Sequence, residues 1–198
     1  MAQNLDQLLK FTELLHTFRT IERHILQHTK DNRENDVEHS YTLAMLSWHI
    51  ISTYKLDLNL DKVFQYALAH DLVEVYAGDT YFYEKDSSVT DTKEKRELDA
   101  AAQIQKEFPE FEELHQAIKN YEKREDAESK FVYALDKVEP VLTIYLDKGR
   151  TWHKDEVTLE MITSMKSPKV AVDKTIESIF NELVEKLQAE HETLFKIK

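Results

Sequence analysis

Four side chains of this sequence could together hold one divalent metal ion. His70 and Asp71 are neighbours inside the apolar run of residues 64–75, where an imidazole and a carboxylate are costly without a partner. Two further side chains of ligand type, His39 and Asp136, stand in separate segments. Imidazole and carboxylate ligands suit Mn, Fe, Co, Zn or Mg. An ion bound in this way would acidify a water molecule and polarise a phosphoryl group.

Helices must position these ligands, because most of the chain has a helical pattern of apolar residues. Apolar side chains recur at i, i+3 and i+4 spacing, for example from Leu43 to Tyr54. The whole chain contains only two glycines and three prolines, which argues against a fold rich in β-hairpins. We therefore predict helices over 3–27, 36–55, 60–76, 91–107, 110–122, 126–148, 153–165 and 169–195. His70–Asp71 and Asp136 then fall in mid-helix, and His39 falls in a first turn.

Local signals mark several helix ends. Asp36 is predicted to be an N-cap, and Asp91 with Glu94 resembles a capping box. Gly149 is predicted to follow the end of the helix that carries Asp136. Ser167–Pro168 is a typical start for the last helix, with serine as N-cap and proline in the first position.

Two segments are predicted to be irregular, 28–35 and 77–90. The second is long for a compact domain, and loops of that length often act as binding loops or lids. It contains three aromatic residues, so an aromatic-anchored surface loop explains it equally well.

Composition limits the class of protein. A chain of 198 residues suits one domain, and the absence of cysteine excludes disulfides, thiolate-bound metals and cysteine nucleophiles. The formal charge is −12, and no basic stripe is present, so long nucleic acid is not an expected partner. We find no signal peptide and no apolar run long enough to span a membrane. These features predict a soluble cytoplasmic protein.

Spacing alone leaves two interpretations of the polar residues open. A histidine in an apolar helix is more often a hydrogen-bonded core residue than a ligand, and Asp71 could be a cap or an ion-pair residue. Polar residues in three separate apolar segments are harder to explain by solvent exposure. Periodicity therefore leaves a metal site and a structural cluster about equally supported.

Three motifs resemble those of the HD-domain superfamily of metal-dependent phosphohydrolases. Glu38–Ser40 is similar to the first histidine motif of the small HD proteins that include the 5′-deoxynucleotidases. His70–Asp79 is similar to their central motif, in which His-Asp is followed by glutamate and then Gly-Asp. Leu135–Pro140 is similar to their final aspartate segment. The extended central motif is far more specific than His-Asp alone.

The resemblance implies an all-α, single-domain HD-type helical bundle over residues 1–198. The motif-bearing core covers about residues 1–150, and about residues 151–198 form an extension that ends in an amphipathic helix. We read this extension as a packing or oligomer surface, because it has no catalytic signature. The family also implies one divalent metal ion (Mn, Co, Fe, Zn, Ni or Mg) and a homodimer.

The resemblance also implies site residues. The metal ligands are His39, His70, Asp71 and Asp136. Glu74 corresponds to the catalytic glutamate, and on a helix it would share a face with His70 and Asp71. The alternative for Glu74 is an ion-pair residue on the helix surface.

Two further residues are implied to contact substrate. Asp79 matches an aspartate that contacts substrate or assists proton transfer, unless it is only a turn residue. Arg19 matches an arginine that could clamp a phosphate, with Arg23 as a competitor and a solvated helix arginine as the alternative. Residues 20–22 lack the aromatic side chain that family members often place near the sugar, so preference for deoxyribose over ribose stays open.

The function implied is a metal-dependent phosphomonoesterase acting on (deoxy)nucleoside 5′-monophosphates, with a small phosphorylated substrate as partner. One alternative is an HD hydrolase of another phosphoester, such as a nucleoside triphosphate or a cyclic nucleotide. Another is a non-catalytic, metal-binding helical regulatory module.

Overall fold

The computed structural model describes residues 5–81, 83 and 87–195, without the side chains of residues 87–91. Helices dominate this part of the chain and confirm the prediction of an all-α helical bundle. No helix within it is long and apolar enough to cross a membrane. The elements are α1 (Leu5–Phe18), β1 (Glu22–Leu26), β2 (Arg33–Asn35), α2 (Asp36–Tyr54), α3 (Leu60–Ala69), α4 (Glu74–Ala77), α5 (Ser87–Glu107), α6 (Glu112–Lys123), α7 (Ala127–Leu146), α8 (Arg150–Asp155), α9 (Leu159–Val170), α10 (Lys174–Ala189) and α11 (His191–Leu194).

Helix α7 is the centre of the bundle. It begins after Asp126, whose carboxylate accepts a hydrogen bond from the Ser129 N–H, and it packs against α2, α3, α6, α9 and α10. Phe131 and Leu135 on this helix are fully enclosed. Because α7 touches both the motif-bearing helices and the C-terminal helices, the two share one hydrophobic core. The boundary near residue 150 stays a prediction.

A β-hairpin replaces the end of the first predicted helix, so the prediction of helix over 3–27 is wrong beyond Phe18. Strand β1 pairs antiparallel with β2, and Glu22 lies opposite Asn35. The segment predicted to be irregular, 28–35, contains the turn of this hairpin and β2. Two strands alone are marginal in water and need packing against other elements.

That packing comes from residues far along the chain. The Arg150 guanidinium donates hydrogen bonds to Asp31 at 2.9 Å and to Asp147 at 2.8 Å. The Thr29 N–H donates to the other Asp147 oxygen at 2.9 Å. The hairpin turn is therefore clamped to the junction of α7 and α8, and the local sequence pattern contains no sign of this clamp.

The helix predicted over 60–76 is interrupted at the His-Asp pair. Helix α3 ends at Ala69, and short i→i−3 hydrogen bonds follow, from Leu72 N to Ala69 O and from Glu74 N to Asp71 O. Such 3₁₀-type turns are tighter than an α-helix. The pair therefore lies at a helix end, and the prediction that it stands in mid-helix is wrong.

The helix ends test the remaining local predictions. Gly149 does not directly follow α7, contrary to the prediction: the helix ends at Leu146 with Asp147 as its C-cap, and Lys148 already has φ +56°. Gly149 comes next, with φ +72° and an N–H that donates to the Ile144 carbonyl. Asn35, rather than Asp36, caps α2 and forms a capping box with Glu38.

Two other predicted helix starts are wrong. Helix α5 already begins at Ser87, so Asp91 and Glu94 lie inside it, and the Asp91 side chain is outside the described residues. Pro168 lies inside α9, and the next helix, α10, begins after the N-cap Asp173.

Candidate metal centre

The four predicted metal ligands converge on one point between α2, the end of α3 and α7. The Nε2 atoms of His39 and His70 are 3.3 Å apart. His39 Nε2 is 3.1 Å from Asp136 Oδ1, and His70 Nε2 is 3.0 Å from Asp71 Oδ2. The cross distances, from His39 Nε2 to Asp71 Oδ2 and from His70 Nε2 to Asp136 Oδ1, are both 3.8 Å.

This spacing fits a divalent ion. Ligand atoms about 2.1 Å from an ion are about 3.0 Å apart at right angles and about 3.4 Å apart in a tetrahedron. The observed separations fall around these values, and both histidines are buried. Two imidazoles and two carboxylates form a donor set that Mn, Fe, Co, Ni or Zn accepts.

Hydrogen bonds behind the cluster orient both imidazoles. His70 Nδ1 donates to the Ala67 carbonyl at 3.0 Å, and His39 Nδ1 donates to Glu139 Oε2 at 2.9 Å. The Thr143 hydroxyl in turn donates to Glu139 Oε1 at 2.7 Å. Such partners turn Nε2 toward the metal and fix the tautomer.

Sequence reasoning missed Glu139. A signal was available, because Glu139 stands three residues after Asp136 and therefore shares its helix face. It also stands inside an apolar run that leaves it completely buried.

Arg23 reaches the cluster from β1. Its Nη1 donates to Asp71 Oδ2 at 2.8 Å and to Asp36 Oδ1 at 3.3 Å, and its Nε lies 3.5 Å from Glu34 Oε2. Arg19 is exposed just after α1 and is not among the residues that line the cavity beside the metal ligands. The substrate contact of Arg19 stays a prediction, and its position favours Arg23.

The carboxylates that touch the imidazoles are held in the ionised form. Burial raises the pKa of Asp71, but His70 and Arg23 outweigh it and hold that pKa below its usual range. Burial likewise opposes ionisation of Asp136, yet Lys137 and the hydrogen bond from His39 keep its pKa well below the usual value.

His39 carries the matching positive charge when no metal is bound. Burial and Arg23 lower its pKa, but the hydrogen bonds to Asp136 and Glu139 raise it to about 10 overall. An arriving metal must therefore displace a proton from this imidazole.

A second group of acids lies next to these residues and behaves in the opposite way. We call Glu34, Asp36, Glu74 and Asp79 the carboxylate cluster. Burial, with Glu139, raises the pKa of Glu34 to about 7. Burial and Asp71 raise that of Asp36 to about 6 and that of Glu74 well above its usual value. Burial also raises the pKa of Asp79.

A cavity opens at the metal ligands, and its lining joins several predicted residues. Asp71 and Asp136 form part of the wall together with Glu74 and Asp79. One face of α7 continues that wall from the charged pair Asp136 and Lys137 to the apolar side chains of Pro140, Val141 and Ile144. The cavity therefore has a charged end and an apolar end.

Aromatic side chains border the same cavity. Tyr81 stacks on His24 with ring centroids 3.8 Å apart and donates a hydrogen bond to Asp155 at 2.9 Å, and Tyr83 also lines the cavity. The position of these tyrosines favours a binding loop over a plain surface loop for the segment 77–90. Phe82 and residues 84–86 of that segment lie outside the described residues.

Comparison with known proteins agrees with this geometry. A family model described as an HD domain matches residues 15–179. Human 5′-deoxynucleotidase HDDC2 is 31% identical over 138 residues, covering 68% of this chain and 65% of the human protein. The mouse protein of the same name is 30% identical over 138 residues, covering 68% of this chain and 67% of its own. The match thus spans slightly less than two thirds of the human relative.

Solved structures show the same fold. A predicted metal-dependent phosphohydrolase from Magnetospirillum magnetotacticum superposes with a TM-score of 0.81 at 28% identity, covering 94% of both chains. An HD-domain phosphohydrolase from Listeria innocua has a TM-score of 0.64 at 17% identity, covering 94% of this chain and 92% of its own. The resemblance seen in the sequence motifs is confirmed, and the chain belongs to the HD domain family.

Proposed function

We propose that this protein is a metal-dependent phosphomonoesterase that acts on (deoxy)nucleoside 5′-monophosphates. The observation that carries the proposal is the convergence of His39, His70, Asp71 and Asp136. Of these residues, Asp71 and Asp136 line a cavity that also contains two acids of raised pKa. The names of the mammalian relatives support the nucleotide part.

The metal would be held by these four side chains. When bound, a divalent ion supplies a Lewis acid that stabilises charge on a phosphoryl group and acidifies water. Asp71 keeps its orientation through Arg23, and His39 keeps its orientation through Glu139. These contacts hold the ligands in place before the substrate arrives.

Glu74 and Asp79 are the residues we propose for proton transfer. Both line the cavity, and carboxyl groups whose pKa values are raised by burial suit general acid–base catalysis. Glu74 holds the attacking water and accepts its proton. Asp79 contacts the substrate and gives a proton to the leaving 5′-oxygen.

Arg23 is the residue we propose for neutralising charge on the phosphoryl oxygens. It lines the cavity and is already anchored by Asp36 and Asp71, so little side-chain entropy is lost when an anion binds. Arg19 stays the alternative that the family resemblance favours.

The apolar end of the cavity would receive the sugar and base. His24 and Tyr81 contribute a stacked pair of rings to the cavity wall, whereas residues 20–22 provide no aromatic side chain. These rings support binding of a nucleoside and leave the choice between ribose and deoxyribose to measurement.

The test is phosphate release from a panel of ribo- and deoxyribonucleoside 5′-mono- and triphosphates and cyclic nucleotides. The metal-stripped protein is assayed alone and after addition of Mn, Co, Ni, Fe, Zn or Mg. We expect metal-restored release from monophosphates. Phosphate release from triphosphates or cyclic nucleotides alone would show that these, and not monophosphates, are the substrates. Metal binding without phosphate release from any substrate would favour a regulatory module.

Assembly and location belong to the same proposal. Exposed Tyr41 and Trp48 on α2, with Leu68 on α3, support the homodimer that the family resemblance implies. Light scattering of the purified protein measures this directly, and a monomer at all concentrations would refute it. A cytoplasmic location stays a prediction.

A further inference from the structure

Lys166 brings a positive charge to the cavity from a part of the chain that carries none of the HD motifs. It lies on α9, is 4% exposed and contributes to the cavity wall. Its ammonium donates a hydrogen bond to the main-chain carbonyl of Lys137 at 2.8 Å. A buried lysine costs free energy unless its charge is used.

The carbonyl that holds Lys166 lies in an interrupted turn of α7. Pro140 has no N–H, so the helix cannot form the hydrogen bond to the carbonyl of Asp136, four residues earlier. Lys166 donates to the carbonyl of Lys137, which is the next residue after Asp136 on α7. The ammonium is thus anchored on the helix that supplies a predicted metal ligand, Asp136, and the cavity-lining Lys137.

Two further cations of the cavity wall pair with predicted metal ligands. Arg23 pairs with Asp71 at 2.8 Å, and Lys137 pairs with Asp136 at 2.5 Å. A divalent ion bound by Asp71 and Asp136 would neutralise both of these acids. The cavity would then contain more positive than negative charge at its metal end, although the whole chain carries −12.

The surroundings of Lys166 also affect its protonation. Burial, and next the positive charge of Lys137, lower the pKa of Lys166 to about 7. A phosphoryl dianion placed between these cations would offset both effects and hold the ammonium protonated.

We propose that Lys166 is a substrate-binding residue whose ammonium donates a hydrogen bond to the phosphoryl group, while Arg23 reaches the same cavity from β1. This inference rests on the proposed function for its substrate, but anion binding can be measured without turnover. It also assigns a role in the site to a C-terminal segment that the sequence suggested was a packing or oligomer surface.

The competing interpretation is structural, with Lys166 serving only to satisfy the Lys137 carbonyl. The two interpretations differ in what a neutral side chain does. Lys166→Gln retains an N–H donor for that carbonyl but removes the charge, whereas Lys166→Met removes both. Lys169, half-buried one turn along α9 and not among the residues that line the cavity, offers a matched control as Lys169→Met.

The first measurement is the rise in melting temperature that inorganic phosphate causes, with and without added Mn. We expect phosphate to stabilise the wild type and Lys169→Met alike, because a ligand that binds the folded state raises its stability. Lys166→Gln and Lys166→Met should lose most of this rise. An unchanged rise in Lys166→Gln would overturn the inference, even if Lys166→Met failed to fold.

The second measurement is the kinetics on the best monophosphate found in the panel. A lost hydrogen bond from a charged donor should raise KM by about 10- to 100-fold, and Lys166→Arg should restore part of the loss. A wild type without turnover, but with a phosphate effect that depends on Lys166, would retain the anion site and refute the phosphomonoesterase. If the wild type turns over the monophosphate and Lys166→Gln has an unchanged KM, the phosphomonoesterase is retained and the role of Lys166 in substrate binding is refuted.

Discussion

The two groups of acids beside the candidate metal centre are similarly buried, but their pKa values are shifted in opposite directions. Asp71, Asp136 and Glu139 each contact an imidazole, and their pKa values lie below the usual range. The members of the carboxylate cluster, Glu34, Asp36, Glu74 and Asp79, all have raised pKa values.

The difference comes from the neighbours and not from burial. Asp136 and Glu74 are 5% and 3% exposed, so desolvation opposes ionisation of both. Asp136 is compensated by Lys137 and His39, whereas Asp71 and Asp79 add further negative charge beside Glu74. Carboxyl groups whose pKa values are shifted apart in this way suit one group for metal binding and the other for proton transfer.

Removing a ligand from the ionised group should have the largest effect. We expect Asp136→Asn to lower kcat/KM by roughly three orders of magnitude or more, because a metal supplies several kcal/mol of charge stabilisation. Metal content after purification should fall in parallel. Asp61→Asn, an exposed change on α3, is the control, and full activity without bound metal would refute the metal centre.

Removing an acid from the carboxylate cluster should reduce turnover without releasing the metal. We expect Glu74→Gln to lower kcat by about 10²- to 10⁴-fold, the usual contribution of a positioned acid or base. Metal analysis and stopped assays on the same sample measure both effects. Glu94→Gln, exposed on α5, should behave as the wild type, and a Glu74→Gln enzyme with normal kcat would remove Glu74 from the mechanism.

Glu139→Gln tests whether the support behind His39 matters. The imidazole would lose its charged acceptor while its shape is retained, and metal affinity should fall by about 10- to 100-fold. Competition with a chelating dye measures the affinity. Glu182→Gln on α10 is the exposed control, and equal affinity in both variants would show that Glu139 is only a packing residue.

Glu34→Gln should increase stability in a pH-dependent way. The folded-state pKa of Glu34 is raised from 4.5 to about 7 by burial and by Glu139, so the wild type binds a proton more tightly when folded and loses stability as pH rises through this range. The variant cannot ionise. Metal-stripped Glu34→Gln should therefore exceed the wild type by about 3 kcal/mol above pH 7 and match it below pH 4.5.

Urea unfolding of both metal-stripped proteins at the two pH extremes measures that difference. A constant offset at both extremes would show that Glu34 does not titrate in this range. In that case the contrast between the two groups of acids would rest on the remaining three members of the carboxylate cluster.

The sequence motifs were sufficient to single out four side chains that lie close together, but not to predict the path of the chain between them. His39, His70, Asp71 and Asp136 were singled out by motifs that resemble those of the HD family, because periodicity alone also allowed a structural cluster. The hairpin could not be predicted, because its support comes from Arg150 and Asp147, more than 100 residues away. Helical periodicity describes only neighbouring residues in the sequence, so it cannot predict such long-range contacts.

Glu139 and Lys166, which sequence reasoning missed, also show that local patterns do not predict tertiary contacts. Glu139 has a local signal, its spacing from Asp136, but a glutamate on a helix is usually exposed. Lys166 has no local signal at all, since only the packing of α9 against α7 brings it to the cavity. Residues of common surface types become site residues through tertiary contacts that one sequence does not reveal.

The contact at Gly149 has a consequence for how the protein is made in the cell. A Cβ atom at this position would collide with the Leu194 carbonyl, and Phe195 stacks on Trp152, a residue of the cavity wall, with ring centroids 5.0 Å apart. A nascent chain that has emerged only to residue 150 already contains every predicted metal ligand, but it lacks this backing. Translation must therefore run past residue 195 before Phe195 can pack against Trp152 and complete this part of the cavity wall.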